Sequence, residues 1–141
     1  MSMILLLLIG LNLLASFKGF NDLSFIRNYQ FHIGSIRAGE QYRMVTSGFL
    51  HADIGHLFFN MFSLLVLGNP IEAALGKARF LVIFFTSLLT GSLASIYLNS
   101  YPHVSVGASG AIFGLFGAFI ALRNRINEGV RDIYVIVGLN F

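Results

Sequence analysis

The chain has 141 residues, 56% of them hydrophobic and only 11% charged, with 15 Phe, nine Lys or Arg against six Asp or Glu, and a formal charge of +3. Soluble domains carry roughly 25% charged residues. With less than half that share and a mean hydropathy of +0.78, the chain cannot cover its own surface with polar groups, which excludes an ordinary soluble domain and a disordered segment. The basic residues are scattered along the sequence and assemble no basic face, so nucleic acid is not an expected partner. The absence of Cys excludes a disulfide scaffold, a thiolate metal site and a cysteine nucleophile. The expected partner is a lipid bilayer, and the expected fold class is all-α, a polytopic membrane helix bundle.

A membrane helix needs ~20 largely apolar residues, so the intervals between charges measure the spans. Met1 to Phe17 carries no charged side chain, Ile54 to Ile71 gives 18 such residues and Phe80 to Leu122 gives 43. The last interval accommodates two crossings, broken at Asn99-Ser-Tyr-Pro-His103. Expected spans are 2–18, 54–70, 80–98 and 109–122. The first lacks a basic start and a small-x-small cleavage site, which favours a retained span over a signal peptide. A fifth apolar stretch occupies 133–141. As a helix it would rise only about 13 Å against a hydrocarbon core of roughly 30 Å, so the sequence reads as the N-terminal portion of a longer membrane domain.

Residues 18–53 are too polar to span and too apolar for a simple linker. They read as an external interfacial loop with short helices. Lys77 and Arg79, and then Arg123, Arg125 and Arg131, place the loops that follow spans two and four in the cytoplasm, with 99–108 outside.

Polar groups within spans are costly and need a reason. His56 and Asn60, four apart, share one face of the second helix. Gly107-Ala-Ser109-Gly110 opens the fourth, whose 14 residues give only about 21 Å of helix. Ser109 therefore begins its helix beneath the outer surface, and residues 104–108 descend as irregular backbone, which is tolerated only around a wet or protein-enclosed cavity. A hydroxyl at such a helix start, with nearby N–H groups and the side chains of His56 and Asn60 to hold an oxyanion, has the parts of a submerged serine hydrolase. Each part also has a plain structural explanation. Ser109 can be an N-cap, His56 with Asn60 an interhelical pair, and Gly110, Gly114 and Gly117 a packing stripe. His51 reads as a loop brace and His103 as an exposed turn residue. No His-Glu-x-x-His occurs, and Asp22, Asp53 and Asp132 lie at segment edges, so neither a metal nor an aspartyl protease is indicated.

With His56-x-x-x-Asn60 in the second span, Gly107-Ala-Ser109-Gly110 opening the fourth, and Glu40-Gln-Tyr-Arg43 through Thr46 and His51 leading into the second, the sequence resembles the rhomboid family of intramembrane serine proteases. The resemblance covers about Gln41 to Leu122. It implies Ser109 as nucleophile, and the Ser109 N–H, His56 and Asn60 as the oxyanion hole. Tyr42-Arg43 would match the aromatic-Arg pair of the first external loop, and Phe113 the ring against which the catalytic imidazole stacks. The substrates implied are transmembrane proteins cleaved in or near their spans, with no cofactor and no metal. The location implied is a bacterial plasma membrane.

The family's base is a histidine in a sixth span, within an Ala-His-x-x-Gly type motif. None of His32, His51, His56 or His103 matches that place, so the chain alone is expected to be inactive. Two other functions remain open on the residues. One is a non-catalytic rhomboid-like protein that binds client transmembrane helices, and the other is a transporter or channel subunit with His56 and Asn60 lining its path.

Overall fold

The computed structural model describes residues 1–123; the stretch at 133–141, Arg125 and Arg131 lie outside them. Helix α1 spans Met3–Asn21. It starts where the Ser2 hydroxyl accepts from Leu5 N at 3.2 Å and donates to the Glu72 carboxylate, tying the helix start to the second long helix. Asp22 ends α1 and caps α2 (Leu23–Tyr29), accepting from Ser24 N and Phe25 N. Next come β1 (Phe31–His32), α3 (Ile33–Arg37), α4 (Arg43–Thr46) and a 3-10 turn, Ser47–Phe49. Two long helices follow, α5 (Ile54–Leu75) and α6 (Lys77–Leu98), and then β2 (Val104–Ser105) and α7 (Ser109–Leu122).

Three of these helices, α1, α5 and α6, are long and apolar enough to cross a membrane, and α7 is shorter. The architecture is thus a multi-pass membrane helix bundle. Among the described residues the strand pairing is the two-residue antiparallel bridge β1–β2.

The long helices outrun their expected limits. Helix α1 passes Lys18, whose aliphatic stem can lie along apolar surface while its charge reaches water. Helix α5 passes Pro70, as membrane helices do where neighbouring groups compensate for the missing N–H. It stops at Gly76, where a φ of +84° suits a residue without Cβ and the N–H reaches Glu72 O at 2.8 Å. Helix α6 begins at the next residue.

The core sits where α1, α5, α6 and α7 meet: Leu5, Leu64, Leu67, Ile71, Phe80, Phe84 and Leu115 are fully enclosed. Lipid offers no hydrophobic drive between helices, so close backbone approach has to supply the packing. Between α6 and α7 it does. A Cβ on Gly91 would sit 3.3 Å from Gly110 Cα, and one on Gly114 only 2.2 Å from Ser87 Cβ. Two small pairs, each four residues apart, thus let the helices meet. Among the described residues a Cβ on Gly117 would meet nothing within 4 Å, so α6 occupies the first half of the small stripe expected on α7.

The loop expected at the interface with short helices carries them and packs as a unit. Phe31, Ile33 and Ile36 form a small core of their own. Arg43, nearly enclosed, donates to Glu40 Oε2 at 2.5 Å, Arg27 O at 2.7 Å and Gln30 O at 3.1 Å. Thr46 Oγ1 donates to Tyr29 O at 2.8 Å. Two contacts dock the unit on α6: Ser92 Oγ donates to Met44 O at 2.8 Å, and Gly48 lies against the Leu88 side chain. Segments of four to seven residues are too short for periodicity to reveal.

Gly114→Ala should lower stability by about 1–3 kcal/mol, the usual range for overpacking, whereas Gly117→Ala should leave it unchanged. Thermal unfolding of both variants in detergent checks this.

Candidate active site

Helix α7 opens where an irregular segment, held at several points, turns into the bundle. Phe31 pairs with Ser105 and His32 with Val104 across β1–β2, and Ile33 N donates to His103 O at 3.3 Å. Two residues on, Gly107 N donates to Ser47 O at 2.9 Å. Gly107 has a φ of +125°, and a Cβ there would lie 2.7 Å from His56 Cε1 and 2.8 Å from Nε2. Only glycine meets both demands. Ala108 takes the cap position with no side-chain bond, so Ser109 is the first helical residue rather than the N-cap. The N–H groups of that first turn have no acceptor within the helix.

Half-buried Ser109 borders a cleft of about 240 Å³, which Ser47, His103, Gly107, Gly110 and Phe113 also line. His103, expected as an exposed turn residue, is half-buried, with its ring edge-to-face on Phe31 at 5.9 Å. The β1–β2 bridge pulls it inward.

Leu88, Gly91 and Ser92 of α6 form the other wall of the cleft, and helix α5 lies behind Gly107. Asp53 caps it, accepting from His56 N at 2.8 Å. The His56 ring rests on Gly107 and stands edge-on to His51, with centroids 5.0 Å apart. Asn60 is enclosed. Its Nδ2 donates to His56 O at 2.9 Å within its own helix, so it does not act as an interhelical pair, and its Oδ1 has no partner. An amide NH₂ carries two hydrogens, so one donor remains. His56 and Asn60 do not line the Ser109 cleft themselves; His56 meets it at Gly107.

His51 is fully enclosed, with Nδ1 2.9 Å from Ser16 Oγ and no partner for Nε2. Burial first, and then the nearby His56, hold its imidazole well below the ordinary 6.5, at about 4, against the opposing effects of Asn60 and Asp53. Tyr42 is exposed and bonds Asn28 O at 3.2 Å, while Arg43 braces the loop; neither borders the cleft.

Ser16 was not among the expected site residues. Ser16 and Asn12, both fully enclosed, stand four apart in an apolar helix. The rule that drew attention to His56 and Asn60 applies equally to them.

A multi-pass helix bundle in which a serine opens a short helix beside a cleft, one glycine away from a histidine on the preceding hairpin, defines a class of membrane protein with the parts of a hydrolase. The rhomboid domain model matches residues 38–140. The chain belongs to the rhomboid family. Over 92 residues it is 46% identical to the Rhomboid protease GluP of Bacillus subtilis (strain 168), covering 64% of this chain and 18% of that protein. It is 43% identical over 90 residues to the Putative rhomboid protease YdcA of the same organism, covering 64% and 45%. The Inactive RHOMBOID-like protein 8 of Arabidopsis thaliana is 36% identical over 110 residues, covering 72% and 31%. The chain thus spans less than half the length of each of these relatives.

Gly107→Ala should displace the His56 ring and strain the backbone, costing on the order of 1–3 kcal/mol. His56 side-chain NMR shifts and thermal unfolding report the two effects. The lowered His51 value makes a second prediction. The unfolded chain takes up the proton near 6.5 and the folded chain only near 4, so His51 contributes stability above about pH 6.5 that is lost as pH falls towards 4. The loss is on the order of 3 kcal/mol. Unfolding followed from pH 7 to pH 4 should show this slope, reduced in His51→Gln.

Proposed function

We propose that this rhomboid domain is the nucleophile-bearing portion of an intramembrane serine endopeptidase acting on transmembrane proteins. The observation that carries the reading is Ser109 at the start of α7, bordering a cleft and two residues from the glycine that abuts His56. In this reading Ser109 Oγ attacks the scissile carbonyl carbon. The carbonyl oxygen gains the charge, and the Ser109 N–H, the remaining Asn60 N–H and the His56 ring receive it. Collapse of the intermediate breaks the C–N bond, the amine leaves with a proton, and water then hydrolyses the acyl-serine. Phe113 and Gly110 shape the cleft beside the nucleophile, while Arg43 and Tyr42 brace the loop that covers it. The proton is taken and returned by a base that resemblance assigns to a later histidine. The membrane is proposed to be a bacterial plasma membrane, with the chain forming one rhomboid-like unit; the stretch 133–141, expected to begin a fifth span, lies outside the described residues.

A second reading is a non-catalytic rhomboid-like protein that binds client transmembrane helices. It is favoured by the relative named inactive and by the engagements of the four histidines. His32 bonds Ser35, His51 bonds Ser16, His56 packs on Gly107 and His103 packs on Phe31; none bonds the Ser109 hydroxyl.

The natural gene product, purified in detergent and treated with a fluorophosphonate, should label at Ser109. Labelling should vanish in Ser109→Ala and slow by about 10²–10³ in Asn60→Ala, the usual cost of one oxyanion donor. Labelling that persists in Ser109→Ala contradicts the assignment. A protein that never labels yet retains client helices supports the second reading.

A further inference from the structure

Two buried polar atoms beside the candidate site lack a partner, His51 Nε2 and Asn60 Oδ1, and each belongs to a side chain anchored at its other end. Unpaired polar atoms in an enclosed position are expensive, and native structures pair them. The His51 ring is fixed by Ser16, whose Oγ lies 2.9 Å from Nδ1 and 3.2 Å from Phe49 O. The Asn60 amide is fixed by Nδ2 donating to His56 O at 2.9 Å.

A hydroxyl has one proton, so Ser16 sets up two alternatives. If it donates to Phe49 O, His51 Nδ1 must carry the ring proton, Nε2 is then a bare lone pair, and Asn60 Oδ1 stays short of a donor. If it donates to Nδ1, the ring proton sits on Nε2, where it meets the need of Oδ1. Only the second arrangement satisfies both orphans.

We propose that His51 is a positioning residue for Asn60: with Nδ1 held by the Ser16 hydroxyl, its Nε2–H donates to Asn60 Oδ1 and fixes which end of the amide is presented as a donor. The chain Ser16–His51–Asn60 runs from α1 through the segment before α5 into α5 itself. Its first member, on the N-terminal helix, thereby acts on a group beside the site without touching it. The groups facing His51 are Ser16 from α1, Asp53 from the cap of α5, and His56 and Asn60 from α5. Burial keeps the ring neutral through the physiological range, which the arrangement requires, since a tautomer exists only in the neutral ring. The functional consequence rests on Asn60 being an oxyanion donor; the tautomer does not.

The test separates the two. With the chain ¹⁵N-labelled at histidine in detergent micelles, long-range ¹H–¹⁵N correlation spectra report the tautomer of each ring, and His51→Gln assigns the His51 signals. The expected result is His51 as the neutral Nε2–H tautomer at pH 7, with its ring nitrogen signals moved by Asn60→Ala and the tautomer mixed by Ser16→Ala. A dominant Nδ1–H tautomer, or signals indifferent to Asn60→Ala, overturns the proposal. Because the first reading uses the unaltered chain, a variant that fails to fold does not obscure it. In the gene product, His51→Gln should retain more fluorophosphonate reactivity than His51→Ala at matched stability. Equal loss in both overturns the functional part, whereas absence of labelling in the unaltered protein counts against the protease reading and leaves the tautomer result standing.

Discussion

Hydrocarbon supplies no hydrogen bonds, so any backbone that leaves a helix inside the bundle must find its donors and acceptors within the protein. Residues 99–108 leave one, between the end of α6 and the start of α7. Their partners come from the segment between α1 and α5. Phe31 and His32 pair with Ser105 and Val104, Ile33 N reaches His103 O, and Ser47 O receives Gly107 N. That requirement explains why a segment built only of short elements has a small core of its own and an enclosed arginine bonding three acceptors. Its rigidity sets the level at which Ser109 begins its helix.

Small residues carry that position into the helices. Gly48 admits Leu88, Gly91 meets Gly110, Gly114 admits Ser87, and Gly107 admits the His56 ring. Each brings backbone or side chains closer than a Cβ allows, and together they lock α6, α7 and the loop around one cleft. The polar side chains within the spans follow a similar economy. Ser63, Thr86 and Thr90 return hydrogen bonds to their own helices, whereas Ser16 reaches His51 across elements. The second kind ties α1 to the segment before α5 through buried polar groups.

Much of this was legible in the sequence because the solvent imposes it. Charge-free intervals located α1, α5, α6 and α7, and α7 spans the expected 109–122, from a glycine-rich start to the end of the charge-free interval. The far ends of α1 and α5 were misjudged because Lys18 and Pro70 do not end a helix that lipid and neighbouring helices support. The loop's internal packing was invisible, as its elements are too short to show a period and its partners lie dozens of residues away. For the candidate site, spacing alone paired His56 with Asn60 and singled out Gly107 and Ser109. It could not show that His103 turns inward against Phe31, nor that Ser16 reaches His51, because both depend on long-range pairing.

The central claim is that Ser109 opens to water from within the bundle. The chain has no cysteine, so Ser109→Cys provides a single thiol on a clean background, and Leu115→Cys, at a fully enclosed position of the same helix, provides the reference. In sealed vesicles a small, charged, membrane-impermeant thiol reagent should modify the thiol at position 109 from one side of the membrane and leave the one at 115 untouched. Modification at 109 no faster than at 115 would contradict the account.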